Sequence, residues 1–416
     1  MPEQGASLGL FKRLGPGILF AVSAIGTSHV VQSTRAGAEY GAYMWIFIVA
    51  ACVVRYPAFR FGAEYAAITG RSLIDNYFMQ GRWAVAIFIV DLLVNMFIAT
   101  AAISFVAAGV IDYVFNLTIP TNITAILLIA FCVVFLTTGH YKLLEKTSKL
   151  LLFVFSLVVL VAVIKLFPGQ EYSLQEFWLP QEGFSQQTLI FTVALAGWMP
   201  TAIIAGSFQS LWVCRKMATS NGAFTRKDAL LDFNIGYAIT ILFALCFLML
   251  GVFMAAQGVS ISGSSGEYSS QMVGVITSAL GDWAKVISSI AILAILFSTV
   301  LTLVDACPRA AAYLAGEIRT SLQQKQQQAY RVSMAIQFLV TGVILLLFAK
   351  SFRSFLDFAT TISFLGAPLL AWINHRAIFN SDVEASQQPG PAIKYWSISG
   401  VVVMVLFSLL YLSVRF

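Results

Sequence analysis

Long apolar runs separated by short polar punctuation dominate the chain. They fall at residues 15–35, 41–61, 83–115, 121–138, 150–167, 188–213, 232–256, 283–306, 330–348, 355–373 and 395–412. A helix needs ~20 apolar residues to cross a bilayer, so the pattern predicts about eleven transmembrane helices. Residues 154–163 are continuously apolar, whereas strands of outer-membrane barrels alternate apolar and polar positions; a barrel is excluded. The connectors are short. Residues 168–187 carry Glu171, Glu176 and Glu182 without a basic residue, and 258–282 are rich in Ser and Gly. The stretches 320–328 and 381–391 read as solvated linkers.

Composition sharpens the class. Of 416 residues, 59% are hydrophobic and 11% charged, with mean hydropathy +0.84, against about 25% charged residues in an ordinary soluble domain. A soluble globular enzyme is excluded, and the chain reads as one membrane domain. Its net charge of +6 raises the question of a nucleic-acid partner. Basic residues, however, collect in cytoplasmic loops. With the N-terminus inside, only Arg35, Lys165, Lys285, Lys350, Arg353 and Arg415 of the 25 Lys and Arg residues fall outside. The charge is therefore topological: the partner is the lipid bilayer and not nucleic acid, in an inner (plasma) membrane, with the C-terminus outside. Lys12 and Arg13 precede a first run without a small-residue cleavage site, which reads as a retained span. Cys52, Cys132, Cys214, Cys246 and Cys307 show no CxxC spacing and read as small hydrophobes. No metalloprotease HExxH, nucleophile elbow or paired intramembrane carboxylate occurs, so neither an enzyme nor a cofactor is expected.

Two runs are interrupted. The first holds Gly26-Thr27-Ser28-His29 at its middle, followed by Gln32, Ser33 and Thr34; the sixth holds Gly197-Trp198-Met199-Pro200-Thr201, followed by Gly206, Ser207 and Gln209. Proline removes a backbone donor and glycine eases unwinding, so both helices are predicted to break near the midplane. Irregular backbone at that depth lines a cavity or is packed in protein. Two breaks at corresponding places in two five-helix halves point to an inverted-repeat transporter, with repeats at 15–167 and 188–378 and an additional helix at 393–416.

The motifs around these breaks resemble the Nramp family of proton-coupled divalent metal transporters. They are Gly15-Pro16-Gly17, Arg35-Ala36-Gly37-Ala38-Glu39-Tyr40-Gly41 and Ala196-Gly197-Trp198-Met199-Pro200-Thr201, with residues 226–240 similar to the family's entry into its seventh helix. The resemblance implies a leucine-transporter-like fold and a cargo of the manganese or iron class. Family members hold metal with the Asp and Asn of an Asp-Pro-Gly-Asn motif, a Met sulfur and an Ala carbonyl. Here those Asp and Asn positions fall on Gly26 and His29, the Met on Met199 and the Ala on Ala196, and the family's His after Met-Pro becomes Thr201. Its acidic residues in the third helix fall on Ala101 and Ser104.

Chemistry at the breaks leaves two cargoes open. His29 and Met199, with the Ala196 carbonyl, would suit a softer transition metal, although no carboxylate compensates its charge. Alternatively, free amides at Gly26, Thr27 and Ser28 would cradle a carboxylate, with Trp198 walling an apolar side chain and Thr201 nearby. That describes an amino-acid or organic-acid transporter. Coupling by proton or sodium has three candidates. Asp91 could relay a proton or ion, or pair with an Arg on the cytoplasmic side. Ser298 and Thr299 could complete a sodium site, or bond back to their own preceding turn. Arg55 and Arg60 are expected to snorkel or pair at the inner surface, with Glu64 available. Asp112 and Asp357 are expected to be hydrated at outer helix ends, Asp232 to cap its own helix, His140 and His375 to lie at the surface, and Asp305 to pair with Arg309.

Overall fold

Backbone amides and carbonyls must be satisfied within each segment in hydrocarbon, and the described elements are accordingly helical. The computed structural model describes residues 13–138, 154, 157–166, 177–178, 185–220, 223–262, 264–348 and 352–415. Lys12, His140, Lys142, Lys146, Lys149, Lys350, Glu171, Glu176 and Glu182 lie outside these residues. Seven helices are each long and apolar enough to cross a bilayer: Ala42–Thr69, Arg82–Phe115, Arg226–Ala256, Ala284–Ile318, Gln326–Leu347, Ser354–Ile378 and Pro391–Arg415. They are helices 2, 3, 7, 8, 9, 10 and 11. Thr121–Thr137 and Leu157–Leu166 are the shorter helices 4 and 5. Helix 1 is divided into 1a (Pro16–Ala24) and a second piece, 1b, built from the π-helical stretches Ser28–Ser33 and Ala36–Tyr40. Helix 6 is divided into 6a (Gln186–Gly197) and 6b (Ala205–Thr219).

Helix 7 begins at Arg226 rather than at the expected residue 232, because Thr225 and Asp228 form a reciprocal capping box. That frees Asp232 for another role. Its carboxylate accepts from the amides of Gly15 (3.0 Å) and Gly17 (2.6 Å), so it caps helix 1a and not its own helix. The Gly-Pro-Gly entry is thereby explained: Pro16 suits a first turn, and Gly17 lies so close to helix 7 that a Cβ would sit 2.0 Å from the Asp232 carbonyl oxygen. Gly251 repeats the device at 1b, where a Cβ would meet the Thr34 carbonyl oxygen at 2.0 Å. Small residues let two membrane helices touch backbone to backbone, and both pieces of helix 1 are held this way.

The Ser- and Gly-rich connector after helix 7 contains a helix, Ser265–Leu280, which buries Tyr268, Met272, Val273 and Ile276 against the bundle. Helix 3 carries a π-helical turn at Val94–Ala99, a feature that is frequent at functional sites. Most of the remaining charged residues fall where expected. Arg60 does pair with Glu64 (2.8 Å), which also takes Arg226 (2.5 Å), and Asp305 pairs with Arg309 (2.5 Å). His375, by contrast, is buried, with Nδ1 3.0 Å from the Ser397 hydroxyl of helix 11. Asp112 accepts from Thr124 (2.6 Å). Asp357 binds Arg35 (2.8 Å) and Gln32 (3.1 Å), because helix 10 passes directly beside 1b there. The five cysteines are free thiols, as expected.

Candidate functional site

The break in helix 1 starts where Ile25 leaves helical geometry with ψ at 85°. Helix resumes two residues on, and the amides of His29 (3.0 Å) and Val30 (2.8 Å) both donate to the Gly26 carbonyl. Glycine is required here by crowding: a Cβ at Gly26 would lie 2.5 Å from Thr299 Oγ1 of helix 8. The break in helix 6 spans 198–204 and includes a cis Met199–Pro200 bond. Between the two breaks and helices 3 and 8 lies a cavity of about 50 Å³, room for roughly three to five water molecules. Thr27 and Ser28 line it from 1b, Trp198 and Thr201 from the break in helix 6, Asn95 from helix 3, and Thr299 and Thr302 from helix 8. Among the described residues no charged side chain and no histidine lines it. The buried Thr27 hydroxyl has no hydrogen-bond partner within the protein.

The three residues expected to hold a metal do not converge on this cavity. His29 is fully buried and turned toward helix 7. Its Nε2–H donates to the Thr240 carbonyl (2.9 Å), which leaves the lone pair on Nδ1, and that nitrogen faces the Ser28 hydroxyl at 2.8 Å. A ligand needs a free lone pair, and this one is engaged. The Met199 sulfur sits 3.9 Å from the Ser33 hydroxyl. The Ala196 carbonyl accepts from Arg55 at 2.6 Å.

Arg55 is the residue that sequence reasoning misplaced. It does not reach the surface; it is 1% exposed, and its Nη1 also contacts the carbonyls of Gly197 (3.2 Å) and Met199 (2.9 Å). Those carbonyls lie at the C-terminal end of helix 6a and in the first residues of the break, where the helix dipole favours a cation. A fixed guanidinium therefore occupies the negative pole of the break. The signal available in the sequence was its place, near the middle of helix 2, which is too deep for easy snorkelling.

The family-model comparison matches residues 17–413 to "Natural resistance-associated macrophage protein-like", the Nramp model. The chain belongs to the Nramp family. It is 29% identical to an uncharacterized protein, PM0681, of Pasteurella multocida strain Pm70, over 97% of this chain and 92% of that protein. Its fold is similar to that of a manganese transporter of Eremococcus coleocola, solved as a mutant, with TM-score 0.69, 15% identity, and coverage of 99% of this chain and 88% of that one. It is also similar to MhsT in complex with L-phenylalanine, with TM-score 0.66, 14% identity, and coverage of 96% and 98%. The fold is thus an all-α, leucine-transporter-like membrane fold with discontinuous helices 1 and 6.

Within that Nramp fold the coupling candidates separate. Asp91 is buried in helix 3 and accepts from Asn95 Nδ2 (3.3 Å), so it contacts the cavity through a residue that lines it. Among the described residues it has no ion-pair partner within 4 Å. Ser298 and Thr299 both donate to the Ile295 carbonyl (2.8 and 3.1 Å), the backbone alternative foreseen for them. Thr299 also lines the cavity and Ser298 does not. Above the cavity, at the Arg35 end of 1b, the Gln32–Arg35–Asp357 cluster joins 1b to helix 10, Arg35 sits over Phe191 of 6a (5.0 Å), and Tyr40 stacks on the same ring (4.5 Å). Asn95 and Thr302 were not singled out in the sequence. The signal for Asn95 was its i, i+4 spacing from Asp91 within an otherwise apolar run.

Proposed function

We propose that the chain is a secondary active transporter that moves a small polar solute without net positive charge, of the amino-acid or organic-acid class, by alternating access through the central cavity. Arg55 carries the reading: its guanidinium neutralises the carbonyls at the end of 6a, while no carboxylate lines the cavity among the described residues. A divalent cation there would lose water without gaining an anionic ligand. The electrostatic complement is an anion. Thr27 and Ser28 at the start of 1b line the cavity, and helix N-termini attract carboxylates. The manganese reading draws support from the named activity of the Eremococcus coleocola protein; against it, no group of three or more His, Cys, Asp or Glu among the described residues could hold a metal.

Coupling to a proton or sodium ion goes through Asp91 and Asn95, and the charge distribution supports a cytoplasmic N-terminus, with residues 15–167 and 188–378 as the repeats that rock against each other. The purified protein is tested by thermal unfolding against a panel of glycine, alanine, lactate, acetate and manganese. At 100 times its Kd a ligand adds about 2.7 kcal/mol of stability, so at least one carboxylate is expected to raise the midpoint by several degrees. Thr27→Val, which removes the unpartnered hydroxyl, is expected to weaken that ligand about tenfold. A rise with manganese and with none of the carboxylates would overturn the proposal.

A further inference from the structure

A second cavity, of about 70 Å³, lies on the other flank of 6a, between helices 2, 6, 10 and 11. Its walls are almost wholly apolar, including Phe47, Val54, Phe364 and Met404, and Arg55 forms part of its lining. Ala50 and Val403, both exposed on the bundle's flank, stand at its mouth. In a membrane that flank faces lipid chains. Arg55 spends only Nη1 on the 6a carbonyls; its Nε and Nη2 are buried without a partner in the protein. Those two nitrogens form one edge of the planar guanidinium, the fork that matches a carboxylate with two parallel hydrogen bonds. Buried donors of a permanent cation are ordinarily satisfied.

We infer that this cavity binds the carboxylate end of a single-chain fatty acid from the bilayer, held by the Nε–Nη2 edge of Arg55, with its tail leaving between helices 2 and 11. The depth of Arg55 decides among membrane anions. It sits at the break in helix 6 beside a cavity of about 70 Å³, which admits a two-oxygen carboxyl head on a single chain but not a phosphodiester carrying two acyl chains. The inference does not depend on which solute the central cavity carries.

The test uses the full chain in phosphatidylcholine nanodiscs with a diazirine-bearing palmitic acid as photolabel. Labelled peptides are expected in helices 2 and 11 around residues 47–54 and 403–407, and palmitate should displace the label at least tenfold more effectively than methyl palmitate, which lacks the charge. Ala50→Trp, at an exposed position on the cavity's rim, fills the mouth and is expected to reduce labelling at least tenfold while leaving the unfolding midpoint unchanged. Arg55→Lys keeps the charge but loses the fork, and should diminish the preference for acid over ester. Equal displacement by acid and ester, labelling confined to other helices, or undiminished labelling of a folded Ala50→Trp protein would each overturn the assignment.

Discussion

Arg55→Met is expected to lower stability by about 3 kcal/mol, the net worth of losing hydrogen bonds from a charged donor to three buried carbonyls, partly offset by removing a buried charge. The carbonyls of Gly197 and Met199 would lose their guanidinium donor, and that of Ala196 would keep only backbone amides, including that of Met199 (3.3 Å). Arg55→Lys should fall between the two, because an ammonium is a point charge and cannot reproduce the planar geometry. The measurement is the thermal unfolding midpoint of the purified variants, and Arg55→Met should fall by several degrees. A second consequence separates this role from simple packing. With the fixed positive charge gone, manganese should bind more tightly to the Met variant than to the wild type, and the carboxylate ligand less tightly. An unchanged midpoint and unchanged ligand preference would mean that Arg55 neither caps the break nor sets its electrostatics.

The second large effect concerns Gly26, at the position where Nramp relatives of the metal-transporting type carry Asp. Gly26→Asp alone is expected to fold poorly. Its Cβ would lie 2.5 Å from Thr299 Oγ1 and 2.9 Å from Thr299 Cγ2, and overpacking of this kind costs about 1–3 kcal/mol. Thr299→Ala removes both atoms, so the double variant should recover most of the lost stability. It then carries a carboxylate beside the cavity. Two like charges ~5 Å apart at an effective dielectric of ~20 repel by about 3 kcal/mol, so affinity for an anionic solute should fall roughly a hundredfold. The same carboxylate should give manganese its first anionic ligand and strengthen its binding. A double variant that keeps the affinity of the wild type for the carboxylate would show that the solute does not sit between the breaks.

The breaks themselves were legible in the sequence, because glycine, proline and polar residues inside an apolar run leave few other arrangements. The course of the backbone followed from the same pattern, except where short-range chemistry outweighed hydropathy. Thr225 and Asp228 start helix 7 earlier than its apolar run, since a capping box needs no hydrophobic residues. Residues 265–280 hide a helix whose buried positions, Tyr268, Met272, Val273, Ile276 and Leu280, recur at helical spacing; Ser and Gly between them diluted the signal. The site was legible only in part. Thr27, Ser28, Trp198 and Thr201 line the cavity as their place in the sequence suggests, but chain position does not tell which way a helical side chain points. His29 lies next to Ser28 and faces helix 7 instead. Nor could the sequence reveal that Arg55, 141 positions from Ala196, supplies the cation at that carbonyl. Such pairings belong to packing between helices and have no local signature.

Uptake into proteoliposomes containing the wild-type chain, with manganese and labelled alanine and lactate supplied under imposed proton and sodium gradients, reads the cargo directly. Saturable, gradient-driven accumulation of at least one carboxylate is expected, lost in the Gly26→Asp/Thr299→Ala variant, with manganese entering no faster than into protein-free vesicles. Saturable manganese uptake by the wild type, without uptake of either carboxylate, would contradict the assignment of this cavity to an uncharged or anionic solute.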